Sequence, residues 1–126
     1  MNSKFYVSLE AARLLKEKGY DEEYINHYDE NGEIIIPYYE HEYDKLYPAP
    51  TKAEAIDWLE SKGIVVELRY ENDELQKDDS EWEYYIYQYD NEGRLDETVS
   101  SWGMGMFYDA RLEAEEAAII KACELL

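Results

Sequence analysis

The chain has 126 residues, 31 of them acidic and 12 basic, for a formal net charge of −19, and 45% of its residues are apolar and 15% aromatic. That much apolar surface argues against disorder and for one domain over residues 1–126, a length that buries roughly two-thirds of its unfolded surface without a disulfide or metal. So few Lys and Arg exclude ordinary nucleic-acid binding and disfavour an anionic membrane; no run approaches the roughly 20 apolar residues of a spanning helix or forms a signal peptide, so a cytoplasmic protein is expected.

Ser8 to Lys18 predicts a first helix: Ser8 fits an N-cap, Val7, Ala11, Leu14 and Leu15 fall at helical spacing, and Gly19 stands where a helix stops. Tyr24 to Tyr28 and Glu33 to Ile36 then flank Asp29-Glu30-Asn31-Gly32, whose Asn-Gly pair has the chemistry of a tight hairpin. Pro37 lacks an N–H, so the second strand should end there or lie on an edge. A second helix opens after Pro48 and Pro50 at Thr51-Lys52-Ala53-Glu54, which fits a capping box; it turns Ala55, Ile56 and Leu59 inward and stops at Gly63.

Ile64, Val66, Leu68 and Tyr70 alternate with Val65, Glu67 and Arg69 as in a half-buried strand, and Glu71 to Glu83 reads as a polar loop. Trp82 to Tyr89 forms the next strand and passes through Asp90-Asn91-Glu92-Gly93 into Arg94 to Val99. From about Asp109, Leu112, Ile119, Ala122, Cys123 and Leu126 trace the stripe of a third helix. The single Cys123 has no internal partner and is expected to be a buried, inert thiol. Together these elements predict an α+β fold, with a mostly antiparallel sheet of about five strands and three helices mainly on one face. One parallel unit stays open: the Ile34 strand, helix two and the Ile64 strand. The phrases around Asp29 and Asp90 echo one another, which two similar hairpins explain more simply than a duplicated domain.

The stretch from Tyr6 to Tyr20, the phrase from Tyr28 to Glu33, the helix opening from Tyr47 to Thr51 with Asp57-Trp58-Leu59, and the Ala-rich run from Leu112 to Leu126 resemble a group of short uncharacterised proteins from phages and mobile elements of Bacteroidetes. The resemblance covers most of the chain but rests on caps, turns and apolar stripes. It implies an accessory gene of a mobile element and assigns no site. The chain departs from the group in its tyrosine-rich insert and at Trp102-Gly103-Met104-Gly105-Met106.

Those departures hold the candidate partner-binding residues. Asp21 to Tyr47 carries nine acids and six of the fourteen tyrosines, and within it Tyr38, Tyr39, Glu40, Glu42, Tyr43, Asp44 and Tyr47 combine carboxylates with the rigid amphipathic rings enriched in interfaces. The competing reading is a tyrosine-covered sheet edge with hydroxyls in water. Trp102, Met104 and Met106 suit an adaptable docking loop, against a bent strand whose glycines admit close backbone approach. Dense carboxylates also invite nucleic-acid mimicry, against a merely solvated acidic surface.

Metals and catalysis find less support. Asp29, Asn31, Glu33 and Glu40 match EF-hand spacings, but Ile34 stands where that loop needs glycine. His27 and His41 lack a cysteine pair at zinc spacing, and no nucleophile elbow, phosphate-cradling loop or HExxH is present. No catalytic, metal or cofactor residue is assigned. The leading expectation is a non-enzymatic protein that binds a basic protein through an acidic, tyrosine-rich face, with no direct nucleic-acid or membrane contact. The alternatives are a self-associating structural domain and a small-ligand binder or enzyme with a pocket invisible in sequence.

Overall fold

Local chemistry sets each helix end in the computed structural model, which describes residues 3–22, 25–35, 46–72 and 80–126. Helix α1 (Leu9–Glu17) starts where Ser8 Oγ accepts from Ala11 N at 3.1 Å. It ends in a Schellman motif: Gly19, at φ +102°, donates its N–H to Lys16 O, and Tyr20 N donates to Leu15 O. The expected capping box opens α2 (Lys52–Ser61), with Glu54 N donating to Thr51 Oγ1 at 3.1 Å and Thr51 N donating to Glu54 Oε1 at 3.3 Å. Helix α3 (Arg111–Glu124) begins slightly later than expected, after Ala110, which supplies no side-chain cap.

The strands correct the expected architecture. The fold is α+β, but its six described strands form two three-stranded antiparallel sheets instead of one sheet of five. The smaller sheet has order β2-β1-β3, from β1 (His27–Tyr28), β2 (Ile34–Ile35) and β3 (Tyr47–Pro48). The larger is a meander of β4 (Ile64–Asn72), β5 (Ser80–Tyr89) and β6 (Leu95–Ser100). The possible parallel unit is absent among the described residues, because the Ile34 and Ile64 strands lie in different sheets and every pairing is antiparallel. The reason is length and cover: two-residue strands pack beside α1 through β3, whereas the long strands spread beneath α2 and α3. The segment read as a polar loop is shorter than expected, since β4 and β5 stay paired out to Asn72↔Ser80. The Tyr70 and Trp82 rings, 5.2 Å apart, zip the hairpin beyond the point where apolar alternation ends.

The two echoing phrases adopt one turn. Asp29 Oδ1 accepts from Asn31 N and Glu33 N at 2.8 and 2.9 Å, and Asp90 Oδ1 accepts from Glu92 N and Arg94 N at the same two distances. Gly32 and Gly93, at φ +83° and +81°, close the turns in the left-handed region. Each loop therefore spans five residues and not the two of an Asn-Gly turn, because the aspartate ties down the N–H groups a tighter turn would pair across the strands. These bonds hold the Asp90 carboxyl below its ordinary range.

Helix α3 is the hub: it packs against α1, α2, β4 and β5. Ala114, Ala118, Ile119, Ala122 and Cys123 are fully buried, and the small side chains let elements approach from several sides. Burial pushes the Cys123 thiol up to about 11, which suppresses its thiolate. Burial also pushes Tyr84 up to about 12, helped by Tyr108 and Glu124, and Tyr20 up to about 12, helped by Glu54 and Glu22. Both phenols are raised in the folded state, so their contribution is intact below the unfolded value near 10 and is lost as pH rises from there toward 12. Urea unfolding midpoints should fall between pH 9.5 and about 11.5, with Tyr84→Phe flattening the slope; an identical slope in the variant would refute this assignment.

Candidate functional site

Of the residues expected to bind a partner, Tyr38, Tyr39, Glu40, Glu42, Tyr43 and Asp44 lie outside the described residues, as do Pro37 and His41. Tyr47 is half-buried in β3, where Arg13 and Lys16 of α1 sit 5.4 and 5.1 Å from its ring centroid and Lys16 Nζ donates to Leu46 O at 2.7 Å. Its ring is thus engaged by the chain's own cations. Trp102, Met104 and Met106 occupy another part of the fold, the loop between β6 and α3.

That loop is a fixed platform. Ser101 is buried and exchanges bonds with Tyr84: Ser101 N donates to Tyr84 O, and Tyr84 N donates to Ser101 Oγ, each at 2.9 Å. Met104 N and Met106 N both donate to Ser101 O, Gly105 N donates to Trp102 O, and Gly103 N donates to Ser100 Oγ. The stretch is a hydrogen-bonded turn and not a bent strand: Gly103 would put a Cβ 3.1 Å from Ser100 Oγ, and Gly105 turns at φ +71°. The backbone is satisfied inward, so the side chains point out. Trp102 is 64% exposed, Phe107 43%, Met106 47% and Met104 40%. Behind them a shallow groove of about 300 Å³ runs between Tyr84, Tyr108, Ala117 and Ile120.

The outer face of the large sheet carries a polar aromatic network. Ile64, Val66, Tyr84 and Ile86 face the core, which leaves Glu67, Arg69, Tyr85 and Tyr87 on the opposite side. Arg69 Nε donates to Glu67 Oε1 at 2.6 Å, Tyr87 Oη donates to the same oxygen at 3.1 Å, and the guanidinium lies 3.8 Å from the Tyr85 ring centroid. Tyr85 Oη donates to the buried Glu83. These groups bind one another, which makes a structured surface instead of an open site.

A larger cleft of about 580 Å³ is lined by Lys4, Lys52, Tyr108, Ala110, Leu112, Glu113 and Glu116. Its central charges already have structural duties. Lys52 Nζ donates to Lys4 O at 2.7 Å and lies 4.0 Å from Glu116 Oε2, and Glu116 accepts from Ser8 N and Ser8 Oγ. The Tyr108 hydroxyl is buried without a partner among the described residues. Its removal should therefore be neutral or stabilising: Tyr108→Phe is expected to melt at or above the parent temperature, and a loss beyond about 1 kcal/mol would mean that the hydroxyl is bonded.

A smaller cleft of about 270 Å³ opens between the turn after α1 and the outer side of α2, lined by Tyr20, Glu22, Ile25, Glu54, Asp57 and Trp58. Sequence reasoning missed it. Tyr20 and Trp58 stand far apart in the chain, and the local signals were a residue after a helix-stop glycine and an aromatic next to Asp57 in α2. Among the described residues no three His, Cys, Asp or Glu side chains gather as a metal site, and no helix is long and apolar enough to cross a membrane. No protein-family model matches the chain, and no curated protein or solved structure matches it either.

Proposed function

We propose that this chain is a non-enzymatic interaction protein that engages a basic protein, with the loop from Trp102 to Phe107 as its apolar anchor and its acidic surface as the steering field. The observation that carries the reading is the loop itself: four large apolar side chains displayed on a backbone already fixed by hydrogen bonds. Exposed apolar patches of this kind mark interaction sites, and a preordered loop loses little conformational freedom on binding. The net charge of −19 selects basic partners and raises their encounter rate. The resemblance to phage and mobile-element proteins supports an accessory role in such an element, and nucleic-acid mimicry is the special case in which the partner is a DNA-binding protein.

Pull-down from host lysate at low and moderate salt, followed by titration of the purified captured protein, tests this reading. Capture should select basic proteins and weaken with salt, and Trp102→Ala with Met106→Ala should weaken the purified complex by at least tenfold, about 1.4 kcal/mol. Retention of no basic protein, or equal binding by the double variant, would overturn it. A concentration-dependent dimer in light scattering that the double variant abolishes would transfer the loop to self-association.

A further inference from the structure

We propose that the cleft lined by Tyr20, Trp58, Glu22, Glu54 and Asp57 receives the guanidinium of one arginine side chain from a protein partner. The Schellman turn at Gly19 carries Tyr20 back against α2, where its ring meets Trp58 edge-on at 5.3 Å between centroids. Tyr20 is only 6% exposed, yet its hydroxyl has no hydrogen-bond partner among the described residues. Tyr20 lines the cleft together with Glu54 and Glu22, and burial, helped by these two carboxylates, raises its phenol above the ordinary range. A hydroxyl with no protein partner, set beside clustered negative charge, can accept from a cation bearing several N–H groups.

The surrounding groups favour guanidinium over other cations. Glu54 spends Oε1 on the capping box, and Oε2 is unused among the described residues; Asp57 and Glu22 are exposed at the rim. A planar fork can bridge such carboxylates while stacking on an indole, which a quaternary ammonium cannot do and a lysine ammonium does only as a point charge. The volume of about 270 Å³ lies below the roughly 300–1,000 Å³ of drug-sized ligand sites and suits the end of a side chain. This site deepens the reading of a basic partner, and its test needs no partner protein, so the two can fail separately.

Heteronuclear NMR titration with N-acetyl-arginine amide reads the site directly, with the lysine analogue, tetramethylammonium chloride and sodium chloride in parallel. The arginine amide should give saturable shifts at the Tyr20 and Ile25 amides and the Trp58 indole N–H, with a dissociation constant roughly in the millimolar range. The lysine analogue should bind more weakly and tetramethylammonium more weakly again. Glu54→Gln with Asp57→Asn should weaken arginine binding at least fivefold while the folded spectrum persists, because glutamine also completes a capping box. Shifts no larger than those from sodium chloride, equal binding of the lysine analogue, or unchanged affinity in the double variant would overturn the assignment.

Discussion

Ile119→Ala should cost about 3–4 kcal/mol of folding stability, the largest loss expected from any single truncation here. Ile119 is fully buried on α3, the helix against which α1, α2, β4 and β5 all pack, so the cavity would open where four elements converge and where none can collapse without disturbing another. Because small domains hold only about 5–15 kcal/mol in total, such a variant sits close to unfolding at ambient temperature. Equilibrium urea denaturation measures it, with Ile119→Val, at about 1 kcal/mol, as the graded control. A loss under about 1.5 kcal/mol for the alanine variant would show that the hub helix is not where stability concentrates.

Glu116→Ala is expected to cost about 2–3 kcal/mol, through polar groups instead of volume. The Glu116 carboxylate reaches from α3 to the start of α1, where it accepts from Ser8 N at 3.2 Å and from Ser8 Oγ, and it lies 4.0 Å from the buried Lys52 ammonium. Truncation leaves the Ser8 amide short of its acceptor and Lys52 with less compensating charge, and stranded groups of this kind cost more than the bond itself contributes. Glu116→Gln should recover part of the loss, since its amide oxygen can still accept from Ser8 while the charge is gone. Thermal melts of both variants decide the matter: an alanine variant as stable as the parent would remove Glu116 as the clamp between the two helices.

Local elements were legible because their signals lie within a few residues. Ser8, the capping box at Thr51, Gly19 and Gly63 marked helix ends, and Ile64, Val66 and Leu68 announced a strand by alternation. The echo around Asp29 and Asp90 was readable as two hairpins, although loop length was misjudged where aspartate bonds compete with a tighter turn. Division into two sheets was hidden, since it depends on which faces α1 and α3 cover and not on any residue's propensity. Trp102, Met104 and Met106 could be picked out by composition, and the loop does display them; Tyr47 was chosen by the same reasoning, but cations from α1 occupy its ring. The Tyr20 and Trp58 cleft escaped because no spacing rule links the turn after one helix to the middle of another.

The place of α3 in the chain bears on how the molecule comes to be made. The helix that α1, α2 and both long central strands share is the last described element to leave the ribosome. Until residues 111–124 emerge, Leu15, Leu59 and Ile86 have no common surface to close against. The nascent chain therefore carries open apolar faces until α3 has emerged, and these elements are expected to assemble in a single event instead of stepwise.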